Sequence, residues 1–146
     1  MKKFEFYLNE KVVKKISSDP SLANFLLADA KERFSQSIKL KLKEFNKIIF
    51  ENVYDSLRNI LDALLAINGF KSYSHEASIA FLQKFNIEES IILELDNFRY
   101  QRNSSKYYGK NISLESTTEI INFYNKYSEK LIKLCKKKDN CAKKWT

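Results

Sequence analysis

Two glycines and one proline in a chain of 146 residues leave it few places to turn sharply. Average usage is about 7% for glycine and about 5% for proline. Tight turns draw on both, because glycine tolerates positive φ and proline presets φ. The shortage points to an all-α fold in which a few long helices are joined by short loops. At this length one domain is expected, large enough to bury a real core. We place it at residues 1–137, followed by a basic tail at 138–146.

Apolar spacing and capping signals divide the chain further. Residues 4–16 alternate loosely between apolar and charged side chains, which predicts a short first helix. Asp19 followed by Pro20 is a helix start, since the aspartate caps free amides and proline at the first helical position loses no hydrogen bond. The second helix should run from about Pro20 to about Leu40, with Leu22, Phe25, Leu26, Asp29, Ala30 and Phe34 on its inner face. "KLKLKEFN" reads either as a break or as a continuation. From about Phe45 to Asn68, Ile49, Phe50, Val53, Tyr54, Leu57, Ile60, Leu61, Leu64 and Ile67 recur at three and four, marking the central helix. Glu51, Asp55, Arg58 and Asp62 form a charged row on its other side.

Gly69 should end that helix in the left-handed conformation. Ser74 caps a short helix, "HEASIAFLQKF". Asn86 caps another, from about Ile87 to Tyr107 or Tyr108, which Gly109 ends. Ser116 and Glu119 stand in capping-box spacing for a last helix to about Lys137. Its buried positions should be Ile120, Ile121, Tyr124, Tyr127, Leu131 and Leu134. The expected architecture is an up-and-down four-helix bundle with one or two additional short helices.

Charge and composition narrow the partners. The amino-terminal lysines are followed by no long apolar run, and no stretch approaches the roughly 18 apolar residues of a membrane span, so a cytoplasmic protein with no membrane partner is expected. Cys135, Cys141 and the single histidine, His75, are too few for a zinc ligand set or a disulfide framework; no metal and no cofactor are expected. A net charge of +8 favours an anionic partner, with nucleic acid the obvious one. Half of that excess lies in "KKKDNCAKKWT", which reads either as a solvated tail or as a docking segment for RNA or an acidic partner.

The stretch "RYQRNSSKYYGK" carries the chemistry. The chain has 22 lysines and only 4 arginines, yet Arg99 and Arg102 stand three apart. Ile91, Leu95 and Phe98 step by four and three, and the next step of four is Arg102, so a guanidinium lies on the line of the core face. Such a group needs an acceptor, because burying an unpaired charge is costly. The acceptor is either a carboxylate within the fold or a phosphate from outside, and the planar fork of arginine suits both. Glu94, Asp96 and His75 are possible internal partners. His75 opens a helix, where the dipole disfavours a positive charge, so a neutral, hydrogen-bonding imidazole is expected. Tyr73, Tyr100, Tyr107 and Tyr108 are either stacking platforms for bases or core and interface residues.

"LDALLAINGF", "SYSHEASIAFL", "LDNFRYQRNSSKYYGK" and the final amphipathic helix together resemble the HEPN domains of archaea and bacteria, over roughly residues 45–135. The resemblance implies a small helical bundle that forms a homodimer and is often encoded beside a minimal nucleotidyltransferase, as in toxin–antitoxin pairs. Active members are metal-independent ribonucleases whose motif is an arginine, a polar follower, and a histidine after a gap of four to six residues. Arg102 matches the arginine and Asn103 the follower, while the histidine position falls on Tyr107, or on Tyr108 with one more residue in the gap. A tyrosine titrates near pH 10 and exchanges protons poorly at neutral pH. The resemblance therefore implies binding of RNA or a nucleotide phosphate with weak or no ribonuclease activity. In that reading Arg99 and Arg102 hold phosphate oxygens, Lys106 and Lys110 assist, Asn103 orients the ligand, Tyr107 or Tyr108 donates a hydrogen bond, and His75 supports the site. The alternative from another class is a non-enzymatic interaction or adaptor module in which the Arg102 network is structural.

Overall fold

A helix of 26 residues, Leu42–Ile67, runs through the middle of the protein and supplies most of its core. The computed structural model describes residues 1–136; the basic tail and Cys141 lie outside the described residues. In chain order the elements are α1 (Phe4–Asn9), β1 (Val13–Lys15), α2 (Pro20–Ser37), α3 (Leu42–Ile67), β2 (Phe70–Ser72), α4 (His75–Ala80) with a 3-10 turn at Phe81–Lys84, α5 (Glu89–Tyr108) and α6 (Leu114–Lys136). The fold is mostly helical, and no described helix is long and apolar enough to cross a membrane.

The apolar stripe of α3 is buried from Ile49 to Leu64, as its spacing predicts, with Ile67 half-buried. Both α2 and α6 lie along it. Phe34 of α2 stacks on Tyr124 of α6 at 3.9 Å between ring centroids. Helix α5 closes the arrangement through Phe98, whose ring meets Phe50 of α3 at 6.3 Å and Phe123 of α6 at 5.4 Å.

Several local expectations are corrected. Residues 4–16 do not form one helix: α1 stops at Asn9, Lys11 takes a positive φ of 61°, and the chain enters β1. That strand pairs antiparallel with β2, Val13 opposite Ser72 and Lys15 opposite Phe70. Helix α2 is rotated from the expected face. It buries Ala23, Leu27, Ala30, Phe34 and Ser37, leaving Leu22 and Phe25 exposed. Ala23 and Ala30 are fully buried on the face that α2 shares with Leu27 and Phe34, and small side chains there suit the packing of α2 along α3. "KLKLKEFN" is a break, with α2 ending at Ser37 and a further kink at Phe45 (φ −119°, ψ 27°).

The capping signals hold in part. Asp19 accepts from the Leu22 amide and Ser74 from the Ala77 amide. Asn86 does not cap α5, which begins at Glu89 after Glu88. Ser113, not Ser116, caps α6, accepting from the Ser116 amide at 3.0 Å. Phe123 is buried in α6 where Ile121, Tyr127 and Leu134 are only half-buried. Gly69 has φ 80°, and a Cβ there would lie 2.9 Å from the Ile16 carbonyl oxygen, so glycine is required twice over. Beside it, the Ile16 amide donates to the Gly69 carbonyl, the Asp19 amide to Ala66, and the Ser18 hydroxyl to Ile67. Residues 16–19 thereby occupy carbonyls that the end of a helix leaves open.

Candidate functional site

The charged row of α3 does not simply face solvent. Asp55, Arg58 and Asp62 form one wall of a groove of about 320 Å³, completed by Asn59, by Arg33 from α2 and by Arg102 from α5. Each wall is braced. Arg33 donates to Asn52 at 3.0 Å and pairs with Asp29 at 3.4 Å, and Asn59 donates to the same aspartate at 2.7 Å. Arg58 pairs with Asp62 at 3.6 Å, and the Ser78 hydroxyl of α4 donates to Asp62 at 3.3 Å. Burial raises the Asp62 carboxyl above its usual range, against the opposing effect of Arg58 and the Ser78 hydrogen bond.

Arg99 donates to Asp96 at 2.7 Å, which selects one of the internal partners expected from the sequence; Glu94 is exposed. Arg102 differs from the other three arginines. Among the described residues no carboxylate lies within ion-pairing distance of it. Its guanidinium rests over the ring of Tyr54, 5.8 Å from the centroid, with one edge on the groove.

Tyr54 joins the groove to the only histidine. Its hydroxyl and Nδ1 of His75 share a hydrogen bond of 3.1 Å, and the two rings lie near-parallel at 5.9 Å. Burial, then the charges of Arg58, Arg102, Arg99 and Lys106, push His75 down to about 4. The imidazole is therefore neutral at pH 7, as its place at the start of α4 suggests. Burial raises the Tyr54 phenol, opposed by the same arginines. Nearby, burial and the charge of Glu76 push the Tyr7 phenol up to about 12.

All four arginines of the chain thus converge on one locality, three lining the groove and Arg99 acting on the same histidine. Lys106, one turn beyond Arg102, belongs to it as well. Asn103 is half-buried beside Arg102. Tyr107 and Tyr108 are not gathered there. A helix advances about 100° per residue, so they lie about 140° and 240° around from Arg102, and they are 65% and 78% exposed. Lys110 follows α5 and lines a separate groove with Tyr100 and Asn111. Tyr73 is exposed after β2, within 5.5 Å of the Lys14 and Lys71 ammonium groups.

Arg33, Asp55, Arg58, Asn59 and Asp62 in the groove, and Tyr54 beneath Arg102, were not singled out as a site by the sequence reading. The scarcity that drew attention to Arg99 and Arg102 applies equally to Arg33 and Arg58 and was the available signal. Among the described residues no group of three or more histidines, cysteines and carboxylates is placed to hold a metal ion. Protein-family models, curated proteins and solved structures contain no match to this chain.

Proposed function

We propose that the groove between α2, α3 and α5 binds a phosphate group of RNA or of a nucleotide. The observation that carries this is the convergence of all four scarce arginines with one of them, Arg102, having no carboxylate within ion-pairing distance among the described residues. Carboxylates on the same helices hold Arg33 and Arg58 in place, so their remaining N–H groups are already oriented when a phosphate arrives. Tyr54 supports the Arg102 guanidinium from below. A phosphate oxygen supplies the acceptor that Arg102 lacks.

This reading extends to the HEPN-like protein that the sequence resembles. In it α2, α3, α5 and α6 form an up-and-down four-helix bundle, two copies pair to bring their grooves near each other, and the partner in the cytoplasm is a minimal nucleotidyltransferase. Ribonuclease activity is weak or absent. Tyr107 and Tyr108 point away from Arg102, and His75, though neutral and able to accept a proton, holds one only near pH 4.

The test is RNA binding by fluorescence anisotropy in the presence of EDTA, comparing wild type with Arg102→Ala. At least a tenfold loss of affinity with an unchanged melting temperature is expected; equal affinity overturns the reading. Cleavage in the same samples measures residual nuclease activity.

One observation favours the interaction-module alternative: Arg33, Arg58 and Arg99 are each paired within their own helix. In that case Arg102→Ala lowers the melting temperature and RNA is not bound by the wild type.

A further inference from the structure

After Phe98, α5 buries only Ser104 and Ser105, yet it carries three tyrosines that are mostly in water: Tyr100 at 61%, Tyr107 at 65% and Tyr108 at 78% exposed. At about 100° per residue, Arg102, Lys106, Arg99 and Asn103 occupy one arc of about 100° on the helix surface. Tyr107, Tyr100, Ser104 and Tyr108 occupy the next arc, of similar width. The two arcs touch: the Lys106 ammonium lies 5.7 Å above the ring of Tyr107. Past the tyrosines, Tyr100 and Ser104 border a groove of about 220 Å³ whose other wall includes Lys110 and Asn111.

A tyrosine ring held in water forgoes the apolar burial that other tyrosines of this chain, such as Tyr54 and Tyr124, achieve. Three of them within nine residues, flanked by cations, suit a partner with flat apolar faces and negative charge. Unpaired nucleotides have both, whereas in a duplex the base faces are already stacked on one another. A second copy of the chain suits the strip less well. Two-fold pairing centred on the tyrosines would bring the Lys106 and Lys110 ammonium groups of both copies into one interface with no carboxylate of the strip to offset them.

Given phosphate binding at Arg102 as proposed above, we infer that Tyr100, Tyr107 and Tyr108 form a base-stacking strip for single-stranded RNA. The strand lies across α5 with its phosphates toward Arg102 and Lys106 and its bases toward the tyrosines. Asn111, which lines the same groove as Tyr100, offers an amide to the edge of a base stacked there.

The test uses three fluorescent probes of equal length: an oligouridylate of eight nucleotides, an abasic ribose-phosphate oligomer, and an RNA duplex. Anisotropy is measured for wild type, for Arg102→Ala and for the combined Tyr100→Ser, Tyr107→Ser, Tyr108→Ser variant, with sedimentation velocity on each protein. The tyrosine variant should lose about tenfold or more in affinity for the oligouridylate and none for the abasic oligomer. Arg102→Ala should weaken both, and the duplex should bind the wild type more weakly than the single strand. Oligouridylate affinity that depends on Arg102 but not on the tyrosines overturns the strip and leaves the groove standing. Failure of the wild type to bind either oligomer removes both. A tyrosine variant that loses self-association while binding the oligouridylate unchanged assigns the strip to a second copy and overturns the inference.

Discussion

The two halves of α5 share one helix and differ in almost everything else. From Glu89 to Phe98 the helix buries Ile91, Ile92, Leu95 and Phe98; from Arg99 to Tyr108 it buries only two serines. The first half is held by apolar packing. The second is held by small residues that allow close approach while arginine, lysine and tyrosine side chains project to either side. A helix can therefore change role midway without a break, provided that its first turns anchor it firmly enough to carry the rest.

The largest effect expected from this division is on stability. Phe98→Ala removes the ring shared by α3, α5 and α6 and should cost about 3–5 kcal/mol in urea denaturation. A cost below about 1 kcal/mol would mean that the anchoring half is not an anchor. Next comes Arg102→Ala, for which a tenfold loss of RNA affinity corresponds to about 1.4 kcal/mol of binding free energy. Its unfolding free energy should change by less than that amount, and a larger fall would erase the distinction between the halves.

His75 of α4, affected by burial and by the charges of Arg58, Arg102, Arg99 and Lys106, gives a smaller effect that depends on pH. The unfolded chain protonates this histidine near 6.5 and the folded protein only near 4. Between those values the unfolded state binds more protons, so this contribution to stability is present above about pH 6.5 and is lost as pH falls toward 4. Asp62, whose carboxyl is raised by burial, acts in the opposite sense. A single histidine resonance in NMR should titrate near 4, and His75→Gln should flatten the pH dependence of the melting temperature. A midpoint near 6.5 would mean that neither burial nor the neighbouring cations act on the ring. The smallest effect is for Tyr108→Ser, which should alter stability by no more than about 0.5 kcal/mol. A larger loss would show that the second half is packed after all.

Legibility followed how local each determinant is. In α3 the three-and-four spacing runs unbroken for five turns, and every residue of the stripe from Ile49 to Leu64 is buried, with only Ile67 half-exposed at its end. In α2, Leu22, Phe25, Leu26 and Leu27 cover so much of the circumference that spacing alone does not choose a face; Ala23 and Ala30 choose it, through an approach that only the folded helix pair defines. The β1 and β2 ribbon was hidden because its partners stand more than fifty residues apart. At the site, Arg99 and Arg102 stood out by rarity and position. The bond between Tyr54 and His75 depends on α4 folding back on α3, and motif spacing along α5 does not reveal that Tyr107 and Tyr108 lie around the helix from Arg102.

The hydrogen bonds that residues 16–19 make to the end of α3 also bear on the order in which the chain can be secured. The Ser18 hydroxyl meets the Ile67 carbonyl across 49 positions, and β1 has no strand to pair with until Phe70–Ser72 has been synthesised. During translation the amino-terminal segment must wait, unpaired, while α2 and α3 are made. Residues 13–19 are therefore made before the helix end and strand that hold them, and are fixed only after both exist.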